Sequence, residues 1–126
     1  NQQKILKRLQ VHLNNADVGM TKDQYLMMCE QTKQEIDWEK CPEEMEDFPE
    51  IIVTALNIFH SLGDRIFPDI GYIGKDYTLF PMLCSHYAVT DYEKDYLTDI
   101  ILFLESRQIE ASQKSLKAEM ERIKRK

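Results

Sequence analysis

Apolar positions recur with helical spacing over most of the chain and lose it in one stretch. Residues 2–14 put Ile5, Leu6, Leu9 and Leu13 on one face, with Lys4, Lys7, Arg8 and Gln10 elsewhere. That spacing predicts a short amphipathic helix ending at the Asn14-Asn15 pair. Thr21-Lys22-Asp23-Gln24 is a capping box, in which Thr21 and Gln24 satisfy each other's amides, so a second helix starts there and carries Tyr25, Leu26, Met28 and Cys29 to about Gln34. The next residues are acidic and hold Pro42, with Ile36 and Trp38 expected to anchor the connection to a core. Asp47-Phe48-Pro49-Glu50 reads as a third helix start, with Asp47 as the cap and Pro49 in the first turn. Ile51, Ile52, Ala55, Leu56, Ile58, Phe59 and Leu62 make this helix apolar over a broad arc, and Gly63 is its expected left-handed end.

Residues 62–80 break the period. They hold three of the four glycines (Gly63, Gly71, Gly74), Pro68, three aspartates and, ahead of Phe80 at the end, the aromatics Phe67, Tyr72 and Tyr77. This composition predicts a long, ordered, turn-rich connection in which Gly71 and Gly74 take positive φ and Ile70, Tyr72, Ile73 and Tyr77 pack inward. Thr78 can then cap a short helix over residues 79–87, with Pro81 in its first turn. Thr90-Asp91-Tyr92-Glu93 is a second capping box, and no breaker follows for more than thirty residues. The first half of that last helix carries Tyr96, Leu97, Ile100, Ile101, Phe103 and Leu104. Its second half keeps only Leu102, Ile109, Leu116 and Ile123 at seven-residue spacing, with Ser106 and Gln113 polar between them. Such a weak heptad suits a helix that protrudes onto a partner better than an autonomous coiled coil. The fold class expected is all-α: about five helices in one domain, a long glycine-rich ordered connection and a long C-terminal helix.

Composition narrows the class without changing this outline. At 126 residues, with 43% apolar and 30% charged side chains, the chain has the size and balance of one globular domain. No apolar run approaches the roughly 20 residues of a membrane span, and no secretory leader is evident at the start. Cys29, Cys41 and Cys84 form an odd set without C-x-x-C spacing, so free and mostly buried thiols are expected. The net charge of −6 is unevenly spread. Residues 1–15 carry +3, residues 30–50 carry −7 and residues 113–126 carry +4. Basic ends around an acidic middle favour head-to-tail or end-to-middle contacts between copies, or separate docking of the tail on an acidic partner; the plain alternative is ordinary solvated helix faces.

Candidate chemistry is sparse. Gly71-Tyr72-Ile73-Gly74-Lys75 is too short between its glycines for a phosphate-binding P-loop, and Asp76 stands where a Ser or Thr is needed. Its spacing matches the G-x-x-G clamp of KH nucleic-acid modules, but that clamp needs flanking strands, and Asp69 and Asp76 would repel a phosphate backbone. Cys84 and His86, with His60, could form a metal site or a thiol–imidazole pair; neither the paired spacing of zinc sites nor an orienting group accompanies them. Glu43, Glu44, Glu46 and Asp47 lack the alternation and turn glycine of a calcium loop, so they read as a solvated face. Tyr72, Tyr77, Tyr87, Tyr92 and Tyr96 sit among acids, which favours packing over base stacking. Catalytic, cofactor and metal residues are therefore not expected. The alternative is a small metal- or nucleic-acid-binding regulatory protein using Cys84, His86 and His60 or the basic tail.

Three fragments together resemble a known group: Tyr25-Leu26-Met27-Met28-Cys29-Glu30-Gln31, then Asp47-Phe48-Pro49 opening a helix that ends in Ile58-Phe59, then Gly71-Tyr72-Ile73-Gly74-Lys75-Asp76. The chain over residues 20–104 resembles small helical proteins encoded by tailed bacteriophages, associated with virion structure or tail assembly rather than catalysis. The resemblance implies a non-enzymatic protein–protein interaction module in the virion or the host cytoplasm. Its partners would be other phage structural or assembly proteins or further copies of itself, without a membrane and with nucleic acid unlikely. Three parts are expected: an amphipathic arm (1–19), a helical core (20–107) and a protruding basic helix end (108–126). Ile5, Leu6, Leu9 and Leu13 on the arm, and Ile109, Leu116, Met120 and Ile123 on the tail, are the expected partner-binding residues.

Overall fold

The computed structural model describes residues 2–125. Five α-helices account for most of them: α1 (Gln2–Asp17), α2 (Lys22–Gln31), α3 (Glu50–Ser61), α4 (Phe80–His86) and α5 (Asp91–Lys124). A short 3-10 turn spans Met45–Asp47, and two strands, β1 (Gly63–Phe67) and β2 (Gly71–Asp76), lie between α3 and α4. The fold is mostly helical but not all-α, because the glycine-rich stretch expected as an irregular connection is an antiparallel hairpin. The contacts divide the chain into two compact units, one ending at Val53 and the other beginning at Thr54.

In the first unit, α1 runs through the Asn14-Asn15 pair rather than stopping there. Asn15 Nδ2 donates to the Val11 carbonyl at 2.7 Å and Gln10 Nε2 donates to Asn14 Oδ1 at 2.7 Å, so the amides support the helix instead of breaking it. The Thr21 capping box opens α2 as expected, and Lys33 at φ 56° closes it three residues earlier than the sequence suggests. Leu9, Cys29, Cys41, Pro42, Phe48 and Ile52 are buried apolar side chains of this unit. Trp38, expected as an anchor, is 67% exposed; the connection is instead pinned by the Tyr25 hydroxyl, which bridges the Asp37 amide and carbonyl at 3.3 Å each. Asp47 does not cap α3. Its carboxylate accepts the Glu44 amide at 3.1 Å and closes the 3-10 turn.

In the second unit, Ala55, Ile58, Phe59, Leu62, Tyr72, Leu83, Cys84, Leu97, Ile100, Ile101 and Leu104 are buried. Each fully buried Leu or Ile stabilises the fold by about 1.5–3 kcal/mol. Gly63 is not a left-handed helix end; it lies in β1 opposite Asp76. The chain reverses through a turn with Pro68 in its second position, closed by the Ile70 amide on the Phe67 carbonyl at 3.2 Å. Gly71 follows at φ 87°, and Gly74 has φ 132°, beside a bulge where Ile73 is the extra residue of β2. The positive φ expected at both glycines is present, in a hairpin rather than in consecutive turns. Tyr72 is buried as expected, whereas Ile70 at the turn is 55% exposed. Thr78 does not cap α4: Leu79 holds that place, and the Thr78 hydroxyl donates to Asp76 Oδ1 at 2.6 Å. Thr90 caps α5 as the second box predicts, and α5 runs unbroken for 34 residues. Among the described residues no helix is long and apolar enough to cross a membrane.

Candidate interaction surfaces

The hairpin is fastened to α5 at two points. The Lys75 amide donates to Glu105 Oε2 at 2.9 Å, and the Tyr77 hydroxyl donates to the same oxygen. One strand turn away, the Tyr72 amide donates to Ser112 Oγ at 3.2 Å. The glycines permit this approach: a Cβ on Gly74 would lie 3.2 Å from the Glu105 carboxylate, and one on Gly71 would lie 3.0 Å from Ser112 Oγ. The spacing is commensurate. Three strand residues cover about 10 Å at roughly 3.3 Å each. Seven helix residues cover about 10.5 Å at 1.5 Å each, so the Gly71–Gly74 pair fits the Ser112–Glu105 pair with β2 antiparallel to α5.

Burial and the neighbouring carboxylates set the chemistry of this seam. Desolvation, then Glu105 and Asp64, push the Tyr72 phenol up to about 12. Burial and the hydrogen bond to Glu105 raise Tyr77 as well. Lys75 is only 5% exposed, yet its ammonium is satisfied: Asp64 lies at 2.7 Å, the Leu62 carbonyl at the end of α3 at 3.4 Å and the Phe59 ring centroid at 4.3 Å. A phosphate cannot enter over the G-x-x-G residues, because the space above them is filled by the Glu105 carboxylate and Ser112. Sequence reading missed Glu105, Ser112 and Lys75 as a set. Two polar residues seven apart on an apolar helix, beside glycines three apart, were the available signal.

The face of α5 that carries Glu105 and Ser112 continues past the hairpin. Residues at three- and four-residue steps share a face, so Ile109, Leu116, Met120 and Ile123 belong to this stripe. Ile109 and Leu116 are half-buried, whereas Met120 is 53% and Ile123 is 61% exposed. Lys117 and Lys124 flank the stripe beside Met120, while Arg122 pairs with Glu119 and Lys114 with Glu110. At the other end of the chain, Ile5, Leu6 and Leu13 are half-buried and Leu9 is fully buried, which leaves Leu9 no surface to offer another chain.

The first unit contains a cleft of about 440 Å³ between the end of α1, the start of α2 and the 3-10 turn. Ala16, Met20, Pro42 and Met45 line it with apolar surface, and Glu43, Glu44 and Glu46 edge it with carboxylates. His12 Nδ1 lies against the Glu43 carbonyl and therefore carries the proton and donates. Arg8 grips both Glu43 carboxylate oxygens, at 2.9 and 2.8 Å, and the Asp47 carbonyl at 3.1 Å, over the Phe48 ring. Lys22 leans toward Asp47 at 3.7 Å. Glu44 and Glu46 remain exposed on the rim.

The remaining candidates do not converge. Cys84 is buried and its thiol is raised by burial, which disfavours the thiolate, while His60 and His86 face outward. Among the described residues no cluster of three or more His, Cys, Asp or Glu is placed to hold a metal ion. Of the five tyrosines considered for stacking, Tyr72 is buried and Tyr92 is 95% exposed. No protein-family model, no curated protein and no solved structure matches this chain.

Proposed function

We propose that this protein is a non-enzymatic protein–protein interaction module, acting as a minor virion component or tail-assembly factor of a tailed bacteriophage, in the particle or the host cytoplasm. The observation that carries the interaction reading is the end of α5. Its apolar stripe is met by β2 as far as Ser112, is half-buried at Leu116 and is bare at Met120 and Ile123, beside Lys117 and Lys124. A helix face of this kind is the groove-binding half of a helix-in-groove contact. The phage assignment rests on the resemblance of the three fragments in residues 20–104. Mass spectrometry of purified phage particles and tail-assembly intermediates tests it. The expected result is stoichiometric recovery of the chain, lost when Met120→Asp and Ile123→Asp are combined; absence of the wild-type chain from both would overturn it.

A further inference from the structure

The geometry points to a second copy of this chain as a partner, joined head to tail, with the end of α5 of one molecule seated in the first-unit cleft of the next. The inference rests on the reading of the α5 end as an interaction element and names what it binds. The two surfaces are complementary in both respects that matter. The cleft has an apolar floor of Ala16, Met20, Pro42 and Met45, and Glu44 and Glu46 stand on its rim. The helix end has Met120 and Ile123 bare on one face, with Lys117 and Lys124 beside them. Apolar side chains would fill the floor while the lysines meet the glutamates at the rim. The other charges in the cleft are already engaged, Glu43 by Arg8 and Lys22 by Asp47. The volume of about 440 Å³ admits the side chains of roughly one helical turn and little more. One such contact covers far less than the roughly 800 Å² per partner of a stable interface, so each joint is weak.

The contact joins different surfaces, which makes it heterologous: every copy keeps one free cleft and one free tail, and copies add in rows or rings rather than stopping at a symmetric dimer. That property supplies the test. Sedimentation of the full chain, over about two decades of concentration up to about 1 mM, should show a rising mass. Association should weaken at least about tenfold between about 50 and 500 mM salt, because exposed charge pairs are screened. A cleft variant (Glu44→Lys with Glu46→Lys) and a tail variant (Met120→Asp with Ile123→Asp, which keeps both lysines) should each remain monomeric alone. Mixed, they should form a 1:1 complex and grow no further, since the cleft variant keeps a good tail and the tail variant a good cleft. Circular dichroism of each variant establishes that it is folded. Wild type that stays monomeric throughout, a variant that self-associates like wild type, or a mixture that stays monomeric would each overturn the inference. A monomeric wild type that is still recovered in phage particles removes this joint and leaves the proposed function intact; self-association without particle recovery does the reverse.

Discussion

Replacing Gly74 with alanine should destabilise the second unit through two separable effects. Gly74 sits at φ 132°, a conformation nearly closed to residues with a Cβ, and a held non-glycine residue there costs about 1–3 kcal/mol. The new methyl would also lie 3.2 Å from Glu105 Cδ and Oε2, so the carboxylate must move. If it moves, the Lys75 amide loses its acceptor, and a part-buried donor left without a partner costs about 1–3 kcal/mol more. The expected total is about 2–6 kcal/mol. Urea denaturation followed by far-UV circular dichroism measures it, with amide exchange at Lys75 as the local probe. A double-mutant cycle separates the effects. With Glu105→Ala already present, Gly74→Ala should cost only its backbone strain, so the two changes together should fall short of their sum by the cost of the unpaired amide, about 1–3 kcal/mol. A Gly74→Ala protein within about 0.5 kcal/mol of wild type, or a strictly additive cycle, would refute the reasoning.

Asp64→Ala should cost more than Lys75→Met, because the first leaves a buried ammonium short of its carboxylate while the second removes the charge; comparative thermal unfolding decides the order. Alkaline titration followed by tyrosinate absorbance should show Tyr72 and Tyr77 ionising well above ordinary phenols. Because both are raised, their contribution is complete below the unfolded value near 10 and is lost as pH rises through the native values, so stability should fall in that alkaline window; an early, reversible rise from all six tyrosines in the folded protein would contradict this. Arg8→Ala should lower stability by about 1 kcal/mol and loosen the 3-10 turn, read as faster amide exchange at Asp47, since the lost fork is partly exposed.

The helices were legible where local chemistry decides them. Thr21 and Thr90 with their partners three residues on marked two starts correctly, because a capping box depends on nothing remote. The hairpin was not legible by alternation. All five residues of β1 are exposed, so it has no buried face to imprint a period of two, and the bulge at Ile73 interrupts the register of β2. The signal present was of another kind: β-branched and aromatic residues on both sides of Pro68-Asp69-Ile70-Gly71, a turn sequence between two strand-forming runs. Asp47 was misassigned as a cap because it satisfies a nearer amide, that of Glu44. The cleft and the Glu105 seam depend on residues distant in sequence, and spacing within one segment carries no record of them.

The two fastenings of the hairpin also fix how the second unit answers a mechanical load. The hydrogen bonds at Tyr72–Ser112 and Lys75–Glu105 lie one behind the other along an antiparallel strand and helix. A pull along the axis of α5, applied at its free end, strains both bonds together in shear. A pull at the Pro68 turn, directed away from the helix, would instead peel them in succession, Ser112 first and Glu105 second. The seam is therefore strongest in the direction along which the tail of α5 would transmit tension.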